Sequence, residues 1–263
     1  MMQLRARVGH AVVVGASSGV GKLVADALAA QGVVISTVGR TKGPRPGAFH
    51  KSCADLATLD WAGTYAEMEA EAGAAIDAVV YVAGDAAFGR AAAVPVARAR
   101  RLFEANFWGP AAAATAADRL WAAPRRGAFV SVSSIAGRRA VPFEAHYCAS
   151  KAASARFLEA LGLEHPDGRV RFVSVYPGRL KTAFRTHADW HGTPPDPAPG
   201  EGSDPAVVAR SILEVLAGRR GAHVIGAREN AIDLADRLSP RLYDRLVLGR
   251  RVRAVLARSR RSG

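Results

Sequence analysis

Tyr147 and Lys151 stand four residues apart in a stretch of helical pattern, so their side chains share one face. A phenol is a poor acid or base near neutral pH, because its free pKa is about 10. An ammonium group beside it stabilises the phenolate and lowers that value. A tyrosine tuned in this way can give a proton to the oxygen of a carbonyl being reduced. Ser133-Ser134 closes an apolar run upstream, where a hydroxyl at a strand end can hydrogen-bond a carbonyl. A Tyr-x-x-x-Lys spacing is common by chance, so its weight comes from the residues around it.

A second cluster suits a phosphate. Gly15-Ala16-Ser17-Ser18-Gly19-Val20-Gly21 lies between an apolar run and a helical one. Glycines there permit a tight turn and close backbone approach to a pyrophosphate, and the helix N-terminus offers free N–H groups. The spacing is Gly-x-x-x-Gly-x-Gly. Gly15, Ser17, Ser18, Gly19, Val20 and Gly21 are the candidate contacts. The next strand ends in Gly39-Arg40-Thr41, without the acidic residue that would hold the ribose 2′-hydroxyl of NAD. The planar fork of Arg40 suits a 2′-phosphate, so NADP(H) is expected over NAD(H), with Arg40 and Thr41 at the site. A solvated arginine is the competing reading.

These residues need a frame. Strands are expected at His10–Val14, Val33–Val38, Phe49–Leu56, Ile76–Val82, Ala128–Val132, Val170–Val175 and Ala222–Ile225. Helices are expected at Gly19–Ala30, Asp60–Ala72, Val96–Ala123 (one or two), Glu144–Leu163 and Asp204–Leu216. Asp204 reads as an N-cap, with Pro205 in first position. Apolar strands alternating with helices mean an α/β fold, a doubly wound parallel sheet with helices on both faces. The expected division is a Rossmann-type domain over 1–226, with a substrate lid at about 183–203, and a basic helical extension over 227–263. The Pro/Gly-rich stretch 193–203 also fits a plain solvated connection.

The chain has 263 residues, 49% hydrophobic and 22% charged, which fits one globular domain and argues against disorder. Cys53 and Cys148 are too few for a disulfide scaffold, so a cytoplasmic setting is expected. No run reaches the roughly 18 apolar residues of a membrane span. The net charge of +13 invites nucleic acid as a partner, but only five of the 36 basic residues are lysine, and no basic helix interleaves with aromatics. Arg, Ala, Gly and Pro all have GC-rich codons, so genome bias can supply much of the arginine, and no nucleic-acid partner is expected.

In order along the chain come the glycine loop, Asp55-Leu56, Ala83-Gly84, Asn106, Ser134, Tyr147-x-x-x-Lys151, Pro177-Gly178 and Thr182. In this set, from about residue 10 to 225, the chain resembles the short-chain dehydrogenase/reductase family. The resemblance implies a single-domain Rossmann-type fold and hydride transfer between a nicotinamide cofactor and a ketone or secondary alcohol. It implies Tyr147 as acid/base and Lys151 as the group that holds the nicotinamide ribose and lowers the tyrosine pKa. Ser134 matches the carbonyl-polarising hydroxyl, and Asn106 the anchor of a water in the proton relay. Asp55 and Leu56 match the pair beside the adenine. Ala83, Gly84, Pro177, Gly178, Leu180 and Thr182 match further cofactor positions, the last two at the nicotinamide amide.

There are departures. Val14 stands where the family has Thr, and Tyr81-Val82 where it has Asn-Asn. Losing these polar groups together is expected to leave no unpaired partner.

Other residues carry two readings. Phe143, His146, Phe184 and Trp190 flank the motifs and are either substrate-pocket walls for a bulky apolar ketone or core aromatics. His187 and His191 have helical metal-ligand spacing, but with no third ligand a lid role is preferred and no metal is expected. Cys148 is expected to be a small core residue. The alanines Ala111–Ala114, Ala116 and Ala117 allow close helix packing. The family resemblance implies contact of this helix with a second copy, giving a homo-oligomer (dimer or tetramer), and the alternative is packing within one subunit.

Ser239-Pro240 reads as a helix start, and residues 237–263 hold nine arginines and one acid. The amphipathic pieces there fit docking on the domain or on a partner, or a peripheral contact with an anionic membrane. For the chain as a whole the alternatives to redox chemistry are a nucleotide-binding regulator, or an isomerase or dehydratase on the same fold.

Overall fold

In the computed structural model, residues 7–41, 49–192, 202–219 and 223–239 are described. The strands are β1 (His10–Val14), β2 (Val34–Gly39), β3 (Phe49–Ser52), β4 (Ala78–Tyr81), β5 (Ala87–Gly89), β6 (Gly127–Val132), β7 (Val170–Pro177), β8 (Asp189–His191) and β9 (His223–Ile225). The α-helices are α1 (Gly19–Ala29), α2 (Trp61–Ala72), α3 (Val96–Phe103), α4 (Gly109–Leu120), α5 (Ala145–Leu163), α6 (Pro205–Leu216) and α7 (Ala227–Leu238).

Seven strands form one parallel sheet in the order β3-β2-β1-β4-β6-β7-β9. Every residue of β1, β4 and β6 is buried, because helices cover both faces. On one side α1 and α6 pack Val24, Leu28, Val208 and Ile212 against Val13 and Val80. On the other, α2, α4 and α5 bring Tyr65, Met68, Ala113 and Leu158 onto Val12, Val79 and Phe129. The order in which strands are added reverses between β1 and β4, and the crevice at the C-terminal ends of such strands is where ligands bind in open α/β sheets.

Local chemistry sets the boundaries. Asp60 caps α2 by accepting from Gly63 N at 3.0 Å, and Gly73 ends it in the left-handed region at φ 58°. Asp204 caps α6 through Ala206 N at 2.8 Å, with Pro205 in first position. The alanine-rich stretch is not one helix. Pro110 has no N–H to give, and the preceding turn, Glu104–Trp108, widens into a π-helix. That turn carries Asn106.

Other expectations move. The third strand ends at Ser52, so Asp55 and Leu56 lie in the loop beyond it. β5 and β8 form a separate two-stranded parallel sheet that local pattern did not reveal. β8 lies inside the expected lid, of which residues 193–201 are outside the described set. His187 lies in a turn and His191 in β8, so helical ligand spacing does not apply to them. Ala111, Ala113, Ala114 and Ala117 are buried within their own subunit. Ser239 is the C-cap of α7, and the helix expected to start at Ser239-Pro240 lies outside the described residues. The basic segment from Pro240 onward lies outside the described residues. Among the described residues no helix is long and apolar enough to cross a membrane.

Candidate active site

At the mouth of the crevice Gly15 leaves β1 with φ 88° and donates to Val38 O at 2.9 Å. A Cβ on Gly15 would stand 2.9 Å from Ala83 N, and one on Gly21 would overlap the Gly15 carbonyl oxygen. The loop is therefore folded onto the end of β4 as only glycine allows. Ser18 is the N-cap of α1 and makes no side-chain cap bond. Ser17 and Ser18 are exposed, whereas Val20 turns its side chain into the core and leaves only its main chain at the loop. Gly19 faces Thr182, whose methyl would lie 3.6 Å from a Cβ there. Thr182 N donates to Leu180 O at 2.9 Å, just beyond Pro177-Gly178 at the end of β7. The crevice thus unites the glycine loop, Ala83-Gly84 and the Leu180–Thr182 turn. Arg40 and Thr41 are exposed at the end of β2, and Asp55 holds its loop by accepting from Ala57 N at 2.9 Å.

Deeper in, Gly84 is the hinge of the arrangement. A Cβ on it would meet Asn106 Oδ1 at 3.0 Å and Lys151 Nζ at 3.1 Å. Asn106 is buried, and its amide group donates to Asp85 O at 2.9 Å and Ser150 Oγ at 3.0 Å, while its oxygen accepts from Asp85 N at 2.9 Å. Lys151 Nζ donates to Val132 O at 3.1 Å. Ser134 caps the short turn Ile135–Gly137 and is hydrogen-bonded to the Tyr147 phenol. Asn106 and Lys151 therefore meet at Gly84, and Ser134 and Tyr147 form a second pair.

Burial pushes the Tyr147 phenol well above its usual pKa, and the Glu144 carboxylate adds to this. The Ser134 hydrogen bond and the Arg185 guanidinium pull it down. Burial lowers the pKa of Lys151 itself to about 8. Burial also lifts the Cys148 thiol to about 11, in line with a core residue.

Phe88 meets the Tyr147 ring edge-on at 5.6 Å, Phe184 stands at 6.2 Å, and Trp190 packs on Phe88 at 5.0 Å. Phe184 and Trp190 are thus near the phenol. Phe143 contributes its main chain, accepting from Gly89 N at 2.7 Å with φ 66°, and His146 is half-buried beside Tyr147. Phe88, Glu144 and Arg185 were missed by sequence reasoning. Phe88 sits in a three-residue strand, and Arg185 is one arginine among many. Arg185 lies over the Phe88 ring at 4.3 Å and pairs with Glu144 at 3.0 Å.

A family model described as short chain dehydrogenase matches residues 9–191. The chain belongs to the short chain dehydrogenase family. An uncharacterized oxidoreductase of Myxococcus xanthus is 34% identical over 184 residues, covering 65% of this chain and 72% of that protein. The uncharacterized oxidoreductase YxnA of Bacillus subtilis is 28% identical over 253 residues, covering 90% and 70%. A short chain dehydrogenase from Burkholderia cenocepacia, solved in complex with NADP, superposes with a TM-score of 0.74 at 24% identity over 92% of this chain and 98% of that one. The last likeness establishes the shared fold. Short chain dehydrogenases are nicotinamide-dependent oxidoreductases acting at CH–OH and C=O groups, and this chain shares that chemistry at the level of the family.

Two features of this short chain dehydrogenase make stability predictions. Among the described residues the buried Tyr81 hydroxyl has no hydrogen-bond partner, and it stands against the spot where a Cβ on Gly109 would lie. The exchange of Asn-Asn for Tyr-Val therefore does leave an unsatisfied group. Tyr81→Phe should raise stability by about 1 kcal/mol in denaturant unfolding.

Lys151 is the second. Its folded pKa lies below the unfolded value of 10.5, so at neutral pH it is charged in both states and the cost of burying that charge is fully present. Between about 8 and 10.5 the unfolded chain binds the extra proton, so the cost fades as pH rises. Ligand-free Lys151→Met should be more stable than wild type at pH 7 by about 2–3 kcal/mol, with the advantage shrinking above pH 8 in thermal melts.

Proposed function

We propose that this protein is an NADP(H)-dependent oxidoreductase that interconverts a bulky, apolar ketone and its secondary alcohol. The observation that carries the reading is the meeting of Asn106 and Lys151 at Gly84, with the Ser134–Tyr147 pair as a second element, in a chain whose glycine crevice would have an added Cβ strike backbone. The residues present fit a dinucleotide. Glycine 15 and 21 leave room for close approach, the Ser18 end of α1 offers uncapped N–H groups, and Lys151 Nζ and Thr182 stand further in. Arg40, exposed at the end of β2, suits the 2′-phosphate.

Bound there, the nicotinamide supplies or takes the hydride at the carbonyl carbon. The chain's own groups do the rest. Ser134 Oγ hydrogen-bonds the carbonyl oxygen and holds the phenol in line. Tyr147, kept neutral by burial, gives its proton to that oxygen during reduction and takes it back during oxidation. Asn106 holds the main chain at Asp85 and the Ser150 hydroxyl, which in turn donates to Tyr147 O at 2.9 Å. Phe88, Phe184 and Trp190 give the phenol side of the site an apolar wall suited to a large substrate.

The same reading includes a homo-oligomer, supported by Trp108, which is 53% exposed and packed at a tilt against Phe107. It also includes peripheral contact of the arginine-rich tail with an anionic membrane surface of the cytoplasm, supported by exposed Leu234 and Leu238 on α7. The activity is tested by loss of NADPH absorbance with a panel of bulky ketones headed by phenanthrenequinone. Consumption with at least one supports the reading. Bound NADPH that is never consumed by any would favour an isomerase, a dehydratase or a regulator.

A further inference from the structure

Arg98 is a buried cation outside the set of residues that the family motifs explain. It rises from α3 and is 7% exposed. Burying a guanidinium is costly unless its charge and donors are met, so its partners show what it is for. Nη2 donates to Asp85 Oδ1 at 2.8 Å and to Ala86 O at 3.0 Å, and Nη1 lies 2.7 Å from Asp85 Oδ2. Nε donates to the Asp189 carboxylate in β8. That bond holds the Asp189 carboxyl below the usual carboxylate range.

The two ends of this bridge differ in kind. Asp85 is the residue whose N–H and C=O both bind the Asn106 carboxamide, each at 2.9 Å. Its own carboxylate accepts from Ala86 N at 2.7 Å, which tightens the turn into β5. Asp189 opens β8, and its N–H donates to Ala86 O at 3.3 Å. Next to it, Trp190 packs on Phe88, which touches the Tyr147 ring. One guanidinium therefore grips the turn that orients Asn106 and the strand that carries the apolar wall.

We propose that Arg98 is a positioning residue that couples the β8 segment, on the substrate side, to the orientation of the Asn106 carboxamide. The inference rests on the redox reading for its consequence in turnover, and on geometry alone for the coupling. Seating of a substrate against Trp190 and Phe88 is transmitted through Asp189, Arg98 and Asp85 to the amide that anchors the proton path. A fork is needed because the partners lie in different directions. A lysine keeps the charge but offers only a point of donors.

The test reads the backbone amide of Asp85, which donates to Asn106, by hydrogen exchange of ¹⁵N-labelled protein. Arg98→Lys should speed exchange at Asp85 about tenfold while amides in β1 and β4 stay as in wild type. Asp189→Asn lies away from Asn106 and leaves Arg98 paired with Asp85. It should speed the same amide about threefold. This second variant carries the test should Arg98→Lys fail to fold. Unchanged exchange at Asp85 in Asp189→Asn overturns the coupling.

In parallel, kinetics with NADPH and the fastest ketone of the panel should show kcat lowered about tenfold in Arg98→Lys with NADPH affinity within twofold. Asp189→Asn should lower kcat in the wild-type background and not in the Arg98→Lys background. An effect of Asp189→Asn that survives unchanged in both backgrounds also overturns the proposal. If wild type consumes no NADPH, the redox reading fails by itself, and the exchange result still decides the coupling.

Discussion

Replacing Tyr147 with phenylalanine is expected to lower turnover about a thousandfold and to leave NADPH binding within a few-fold of wild type. The ring stays, so its edge contact with Phe88 and its packing near Phe184 stay with it. What is lost is the hydroxyl hydrogen-bonded to Ser134, which in the proposed function exchanges a proton with the substrate oxygen. Stability should change little, because the phenol is buried and neutral across the working range. Steady-state rates and a cofactor titration on the same preparation check both halves. Turnover close to wild type would remove Tyr147 from the chemistry, while loss of both turnover and binding would point to a structural role.

The second large effect is expected at Gly21. Its φ is not in the left-handed region, so the argument is one of space. An added Cβ would overlap the Gly15 carbonyl oxygen, lie 2.9 Å from Gly15 C and 3.2 Å from the Ala16 Cα. All three are backbone atoms, and none can swing aside as a side chain would. Gly21→Ala must therefore push the loop away from the first turn of α1. Affinity for the dinucleotide should fall at least about a hundredfold, since the close approach to the pyrophosphate is what the loop provides. Stability should fall by about 3 kcal/mol, the scale of an overpacked core position. Thermal unfolding without ligand separates the second effect from the first. A variant with the wild-type melting temperature and affinity would show that the loop does not need this close contact.

Much of this site was legible because its residues report on backbone and helix geometry. Gly15, Gly19 and Gly21 announce a turn that side chains would block. Tyr147 and Lys151 sit on one face by helical arithmetic, and Asp204-Pro205 starts α6 as capping chemistry dictates. The apolar runs at β1, β4 and β6 gave the parallel sheet, because strands covered on both faces need no polar alternation. What stayed hidden depends on contacts between distant segments. β5 and β8 are three residues each and exist through pairing across about a hundred positions of chain. Arg98, Asp85 and Asp189 look like ordinary surface charges until the fold brings them together. The π turn at Asn106 depends on a missing N–H at Pro110, which pattern alone reads as a helix start. Arg185, from the segment after β7, acts on the phenol through a contact that no local pattern announces.

The measurement that bears most directly on the account is a titration of the purified protein with NADPH and with NADH, followed by nicotinamide fluorescence. The account predicts tight NADPH binding and at least about tenfold weaker NADH binding, the difference coming from Arg40 at the 2′-phosphate. Equal or stronger binding of NADH would contradict the Arg40 assignment while leaving the oxidoreductase site in place. Binding of neither would contradict the central claim that this crevice holds a nicotinamide cofactor.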